Sequence, residues 1–417
     1  MRPIDRTISI MPTDTIEDWI TRSHSRQVRF LTELVRAPSD NPPGDCGPHA
    51  QRTEELLVAL GFLVERYPVP QSEVQAHGMR SVTNLIVRHR FGPGPTIALN
   101  AHGDVVAPGE GWTTDPYGAD IRDGMLYGRG AAVSKSDIAT YAFALCALQH
   151  CGRPHRGAVE LHITYDEEAG GLLGPSWLLR KGLTQPDYAI CAGFTYNVVI
   201  AHNGCLHLEV RLQGRSAHAA RPETGADALE AATQLLNALY ALRQTYAAVH
   251  SNVPGIDHPT LVIGLISGGV NTNVVPDTVT LRLDRRIIPE EDPRIVERDL
   301  RQAIDRLSAR LPAITFTVRT ILLAEPLMPV AGQERLIQSI QRHALFVLGE
   351  SVPANGVPIY TDARHYSAAG IPTVLYGAGP RTLLEANAHR ADERVSLEDV
   401  RKATQVLALT LTDLLGA

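Results

Sequence analysis

Several features that mark other protein classes are scarce in this chain. No apolar run approaches the roughly 18 residues of a membrane-spanning helix, so no membrane partner is expected. No Lys/Arg block stands out and the net charge is −6, which argues against nucleic acid as a partner. Cysteines number five (Cys46, Cys146, Cys151, Cys191, Cys205), odd in count, scattered and without a C-x-x-C pair, so reduced thiols are expected. The opening MRPIDRTISIMPTDTIEDW lacks the continuous apolar core of a secretory signal, and a cytoplasmic protein is expected. What is present is 417 residues, 44% hydrophobic and 20% charged, a globular composition too long for one ordinary core.

Apolar spacing predicts a helix over 13–37, capped by Thr13 or Asp14, and Pro38 to Gly44 breaks it. A second helix is expected over 49–60, strands near 64–67, 84–88 and 96–100, a helix over 137–149, and strands at 158–165 and 188–191. Such alternation predicts an α/β domain with a mostly parallel sheet. From Gly204 the order becomes βαββαβ: strands 205–212, 260–266, 279–288 and 314–322, with helices 226–247 and 294–311. That is the ferredoxin-like unit, its two interior strands joined through Gly268-Gly269-Val270-Asn271. A helix at 333–348, a loop at 360–365, a strand at 373–376 and a closing helix at 397–415 then follow. The expected division is 1–203 and 325–417 for one domain and 204–324 for an inserted one.

Chemistry gathers where strands end. Thr96 to Leu99 runs into His102-Gly103-Asp104, and a strand end in an α/β sheet is where ligands sit. An imidazole with a carboxylate beside it can ligate a metal while the carboxylate holds the second ring nitrogen; a strand end with two polar caps is the plainer alternative. The strand 158–165 likewise runs into Asp166-Glu167-Glu168. Two adjacent carboxylates pointing different ways allow one to bind metal and the other to hold water. The plainer alternative is an acidic surface loop.

Trp112, Asp115-Pro116, Asp123-Gly124 and Tyr127-Gly128-Arg129-Gly130-Ala131 follow His102-Gly103-Asp104. In this order the chain resembles the di-metal amidohydrolase and peptidase family of acetylornithine deacetylase, succinyl-diaminopimelate desuccinylase and glutamate carboxypeptidase. The resemblance implies a divalent metal, a small-molecule substrate and a homodimer whose inserted domain serves as lid and dimer surface. It makes Glu167 the general base and Glu168 a metal ligand, and places His389, in Asn387-Ala388-His389-Arg390-Ala391-Asp392-Glu393, in the last metal motif. In the family an aspartate bridging two metals stands where this chain has Val133, with Lys135 in place after it. A second ligand carboxylate aligns with Gly193. Asp137 lies a helical turn past Val133 and does not simply replace the bridge. His102, Glu168 and His389 remain, a set that suits one ion per subunit, zinc or manganese.

The same resemblance singles out Gly214-Arg215-Ser216-Ala217-His218, where His218 holds an oxyanion. Gly268 to Pro276 carries Asn273 as a substrate or oxyanion contact. Arg286, in Asp284-Arg285-Arg286, suits a bidentate grip on a substrate carboxylate, against a structural ion pair with Asp284 or a glutamate. Arg364 and Gly377 complete the substrate-binding candidates, and Asp104 joins Glu167 and His218 as catalytic. Three readings follow. The first is hydrolysis of a C–N bond in a small anionic amide, such as an N-acyl amino acid or dipeptide-like molecule. The second is hydrolytic deamination of an aromatic amine on the same scaffold. The third is a non-catalytic binding protein that has lost its metals.

Overall fold

A computed structural model describes residues 15–151 and 156–416. Thr13 and Asp14 lie outside them. The first helix is Ile16–Arg36, capped by Thr15, whose hydroxyl accepts the Asp18 N–H at 3.1 Å. By density of internal contacts the chain forms two units. One holds the residues up to Val199, Val330–Ala354 and those from His365 on; the other holds Ile200–Pro329 and Asn355–Arg364.

An eight-stranded sheet runs in the order Val64–Pro68, Thr83–Arg90, Ala158–Thr164, Thr96–His102, Tyr188–Cys191, Thr373–Leu375, Val198–His202, Ala354–Val357; its first six strands lie wholly in the first unit, and the last two are divided between the units. Its four central strands, from Ala158–Thr164 to Thr373–Leu375, are parallel. The strands flanking them, Thr83–Arg90 and Val198–His202, pair antiparallel to their neighbours. The two central strands are buried almost throughout because both faces are covered, and this buries polar side chains such as Asn100, Glu160 and His162 with the apolar ones. The helix Lys135–His150 is buried on nearly every side and packs against Ile16–Arg36 and Leu397–Leu414, which its many alanines permit by keeping it thin. A small sheet of Asp120–Arg122, Met125–Tyr127 and Arg394–Ser396 pairs Arg394 with Tyr127, tying the segment after His389 to the Tyr127–Ala131 turn.

The second unit is a four-stranded antiparallel sheet in the order Thr260–Gly268, Thr278–Ile287, Gly204–Gln213, Thr315–Ala324. Strand alternation sends Leu206, Leu208, Val210 and Leu212 into one core with Leu281, Leu283, Leu235 and Leu300, the last two from the helices Ala228–Tyr246 and Pro293–Ser308. Asp227 and Asp292 cap those helices. One detail differs from expectation. Thr260–Gly268 is an edge strand, so the hairpin joins an edge to an interior strand; the interior pair is Thr278–Ile287 with Gly204–Gln213.

Candidate metal centre

Parallel pairing brings the site together. His102 is the last residue of its strand and lies opposite Thr164, the last of the neighbouring one, so Glu167 and Glu168 emerge beside it at the C-terminal edge of the sheet. A single 3-10 turn, Glu167–Ala169, follows. It turns both carboxylates toward His102, where continued strand alternation would have parted them, and this corrects the expectation that they diverge. His102 Nε2, a Glu167 oxygen and a Glu168 oxygen lie within 4.8 Å of one another. The Glu167 oxygen is 3.9 Å from His102 Nε2.

Asp104 has a larger part than the sequence assigns it. The carbonyl of Asp104 accepts the His102 Nδ1 proton at 2.9 Å, while its carboxylate is 3.4 Å from that nitrogen. The main chain, not the carboxylate, is thus the nearer acceptor that turns Nε2 toward the site. The Asp104 carboxylate, fully buried, accepts the Glu167 N–H at 3.3 Å, the Glu168 N–H at 3.1 Å and the Asn41 side chain at 3.0 Å. It therefore builds the turn that presents both glutamates. Asn41, which gives no sign in the sequence beyond a proline-rich loop, is a residue that sequence reasoning missed.

The electrostatics suit a cation. Burial acts to lower the His102 pKa, but Glu167 and the contact with Asp104 outweigh it and hold the imidazole well above its usual range. Glu168 Oε1 is buried and completes no hydrogen bond among the described residues. His389 Nε2 lies 3.3 Å from it, and contact with Glu168 raises the His389 pKa against burial. His389 has φ 62°, a left-handed conformation, and its side chain is half exposed. It joins the group through Glu168. The donor set, an imidazole nitrogen and carboxylate oxygens, one of them buried without a completed hydrogen bond, fits a borderline divalent cation.

Val133 stands among these groups without adding an oxygen. Its N–H and that of Ala132 donate to Glu393 at 3.1 and 3.0 Å, and Ser134 Oγ donates to the His102 carbonyl at 3.1 Å. Glu393 is buried in an ion pair with Arg129 and anchors the loop after His389. The family-like motif contains this glutamate, but nothing in the sequence assigns it a partner.

Asp137 occupies the space beside Gly193 and Gly377. Its carboxylate accepts the Ala378 N–H at 2.7 Å and the Gly193 N–H, and burial raises its pKa to about 7. A Cβ on Gly377 would overlap that carboxylate, and one on Gly193 would meet Leu375 and the Tyr376 nitrogen at 2.8 Å. In this structure the absence of a side chain at Gly377 leaves room for Asp137.

The remaining candidates fall in the second unit. The backbone at Ala217 to Ala219 is laced to Asn273 to Val275, which brings His218 and Asn273 together. The Ala220 N–H donates to His218 Nδ1 at 3.1 Å, so the neutral ring carries its proton on Nε2, an exposed donor. Arg286 grips Asp284 bidentately at 3.0 and 3.0 Å, which realises the structural ion-pair alternative. Arg286 and Arg364 each lie 5.8 Å from the Tyr360 ring. The 360–365 segment, expected as a loop, turns into the helix Ala363–Ala368.

A layered α/β fold whose strand ends bring an imidazole and two carboxylates together suits metal-dependent hydrolysis. The chain belongs to the peptidase family M20/M25/M40, whose model matches residues 98–413. It is 28% identical over 386 residues to the succinyl-diaminopimelate desuccinylase of Rhizorhabdus wittichii, spanning 90% of this chain and 95% of that one. The dipeptidase Dug1p of Saccharomyces cerevisiae shares the fold with a TM-score of 0.80 at 14% identity, covering 95% and 97% of the two chains. The YXEP protein of Bacillus subtilis, described as a dinuclear metal binding peptidase, aligns with a TM-score of 0.65 at 16% identity over 95% and 99%.

Proposed function

We propose that this protein hydrolyses a C–N bond in a small anionic amide, an N-acyl amino acid or dipeptide-like substrate. The convergence of His102, Glu167 and Glu168 on one point carries this reading. His102, Glu168 and His389 would hold one divalent ion per subunit, zinc or manganese, because Val133 and Gly193 offer no ligand oxygen. Such an ion supplies Lewis acidity, which makes water a nucleophile near neutral pH and polarises a scissile carbonyl. Glu167 takes the proton of the attacking water and returns it to the departing amine. Asp104 keeps Glu167 and Glu168 in place through their own N–H groups. His218, with its proton on Nε2, suits donation to an oxyanion, and Asn273 lies beside it for the same task. Arg364 remains a candidate for the substrate's anionic end. Arg286 is spoken for by Asp284 and takes that task only by exchanging partners. A homodimer is part of the same reading and is checked by molar mass in solution.

The test is turnover on a panel of N-acyl amino acids, dipeptides and aromatic amines, with Glu167→Gln as control. The wild type should hydrolyse an amide, and Glu167→Gln should lose about 10²- to 10⁴-fold in kcat while retaining its metal. Full activity in Glu167→Gln overturns the role of Glu167. Turnover confined to aromatic amines moves the reading to deamination. No turnover on the panel with zinc, manganese or cobalt leaves the binding-protein reading.

A further inference from the structure

The sheet of the second unit carries its apolar side chains on one face. Its other face brings together Cys205, His207, Asp284 and Arg286. His207 and Asp284 are directly opposite in the antiparallel pair Gly204–Gln213 with Thr278–Ile287, and Cys205 and Arg286 form the next pair on that face. Cys205 Sγ is 3.0 Å from His207 Nε2, and His207 Nε2 is 3.2 Å from Asp284 Oδ2. We propose that Cys205, His207 and Asp284 form a second divalent-cation site, of the zinc class, sharing no residue with the His102 group.

The argument is one of proton count and ligand geometry. Three atoms bearing lone pairs lie within 4.8 Å of one another. His207 Nε2 carries one proton at most, so it can donate to the sulfur or to the carboxylate but not to both. Even with the thiol S–H donating to a bare Nε2, one of that nitrogen's two contacts is left unmade, whereas one cation takes all three atoms as ligands. A Cys-His-Asp nucleophilic relay would put the carboxylate on one ring nitrogen and the thiol on the other. Here both meet the same nitrogen, so the relay is excluded. Thiolate, imidazole and carboxylate together select a borderline-soft ion and leave a fourth position open. Arg286 holds both oxygens of Asp284, orienting the carboxylate as the outer hydrogen-bonding partners of metal ligands do.

Cobalt(II) reports on this site directly, because a thiolate bound to it gives near-ultraviolet charge-transfer absorption. The full-length protein is freed of metal by chelation under reducing conditions and titrated with cobalt. The wild type should develop the band, His102→Ala should keep it, and Cys205→Ser should abolish it. Should Cys205→Ser not fold, His207→Gln, at a half-exposed position, decides by the same loss. No charge-transfer band in the wild type, or its survival in either folded variant, overturns the proposal. Either outcome leaves the proposed amide hydrolysis standing, since the His102 group contains no sulfur.

Discussion

Replacing Asp104 by asparagine tests whether one buried carboxylate builds the metal centre. Oδ2 of Asp104 serves the Asn41 amide and the Glu168 N–H, while Oδ1 serves the Glu167 N–H and lies 3.4 Å from His102 Nδ1. Asparagine keeps one oxygen for the first pair and turns an NH2 toward the second, so two N–H groups then face each other in a fully buried place. The lost charge-assisted bond is worth roughly 1.5–3 kcal/mol and the orphaned Glu167 N–H a further ~1–3 kcal/mol. Removing a buried charge relieves some desolvation, which sets the expectation at about 2–4 kcal/mol. Urea unfolding of the metal-free protein isolates this term. Chelator competition with zinc then reads the site, where displaced glutamates should weaken binding about 10- to 100-fold. Asp104→Ala, which also orphans Glu168 and Asn41, should be worse on both measures. An Asp104→Asn protein with wild-type stability and wild-type zinc affinity refutes the reasoning.

Elemental analysis of the freshly purified Cys205→Ser variant, which lacks the proposed second site, should find near one ion per subunit, rising toward two when Val133→Asp is added; two ions without that addition would mean that other residues replace the missing ligands. Gly377→Ala forces a Cβ into the Asp137 carboxylate and should cost about 1–3 kcal/mol, with part recovered in the Gly377→Ala/Asp137→Ala double variant, measured by urea midpoints. Asp137 also predicts a pH dependence in the metal-free protein. Its folded pKa of about 7 lies above the usual carboxylate value, so the folded state binds the extra proton between the two. This contribution is fully present below the unfolded pKa and is lost as pH rises through about 7. Asp137→Asn should flatten stability over that window, and an unchanged slope would show that the carboxylate is not the group responsible.

The sequence by itself determined the elements and much of the chemistry. Period-two and period-3.6 patterns are local, so the longer strands and helices of both units, including the βαββαβ order, were legible to within a few residues, while the short strands Val198–His202 and Ala354–Val357, the three-stranded sheet and the short helices Gln71–Ala76 and Pro175–Arg180 were not. The placement of His102 and Asp166-Glu167-Glu168 at the ligand-binding edge was legible too, because each directly follows a strand of an α/β pattern. Tertiary structure alone decided what depends on contacts between distant segments. It set the order of strands in each sheet, and so made Thr260–Gly268 an edge. It bound Asp104 to the backbone of Glu167 and Glu168 across more than sixty positions. It lodged Asp137 in the space that Gly193 and Gly377 leave, and it set Cys205 and His207 opposite Arg286 and Asp284 through strand register. Spacing along a chain states which face a side chain occupies. Which groups meet there follows from how faces far apart in sequence are paired, and register and burial in the folded chain settle that.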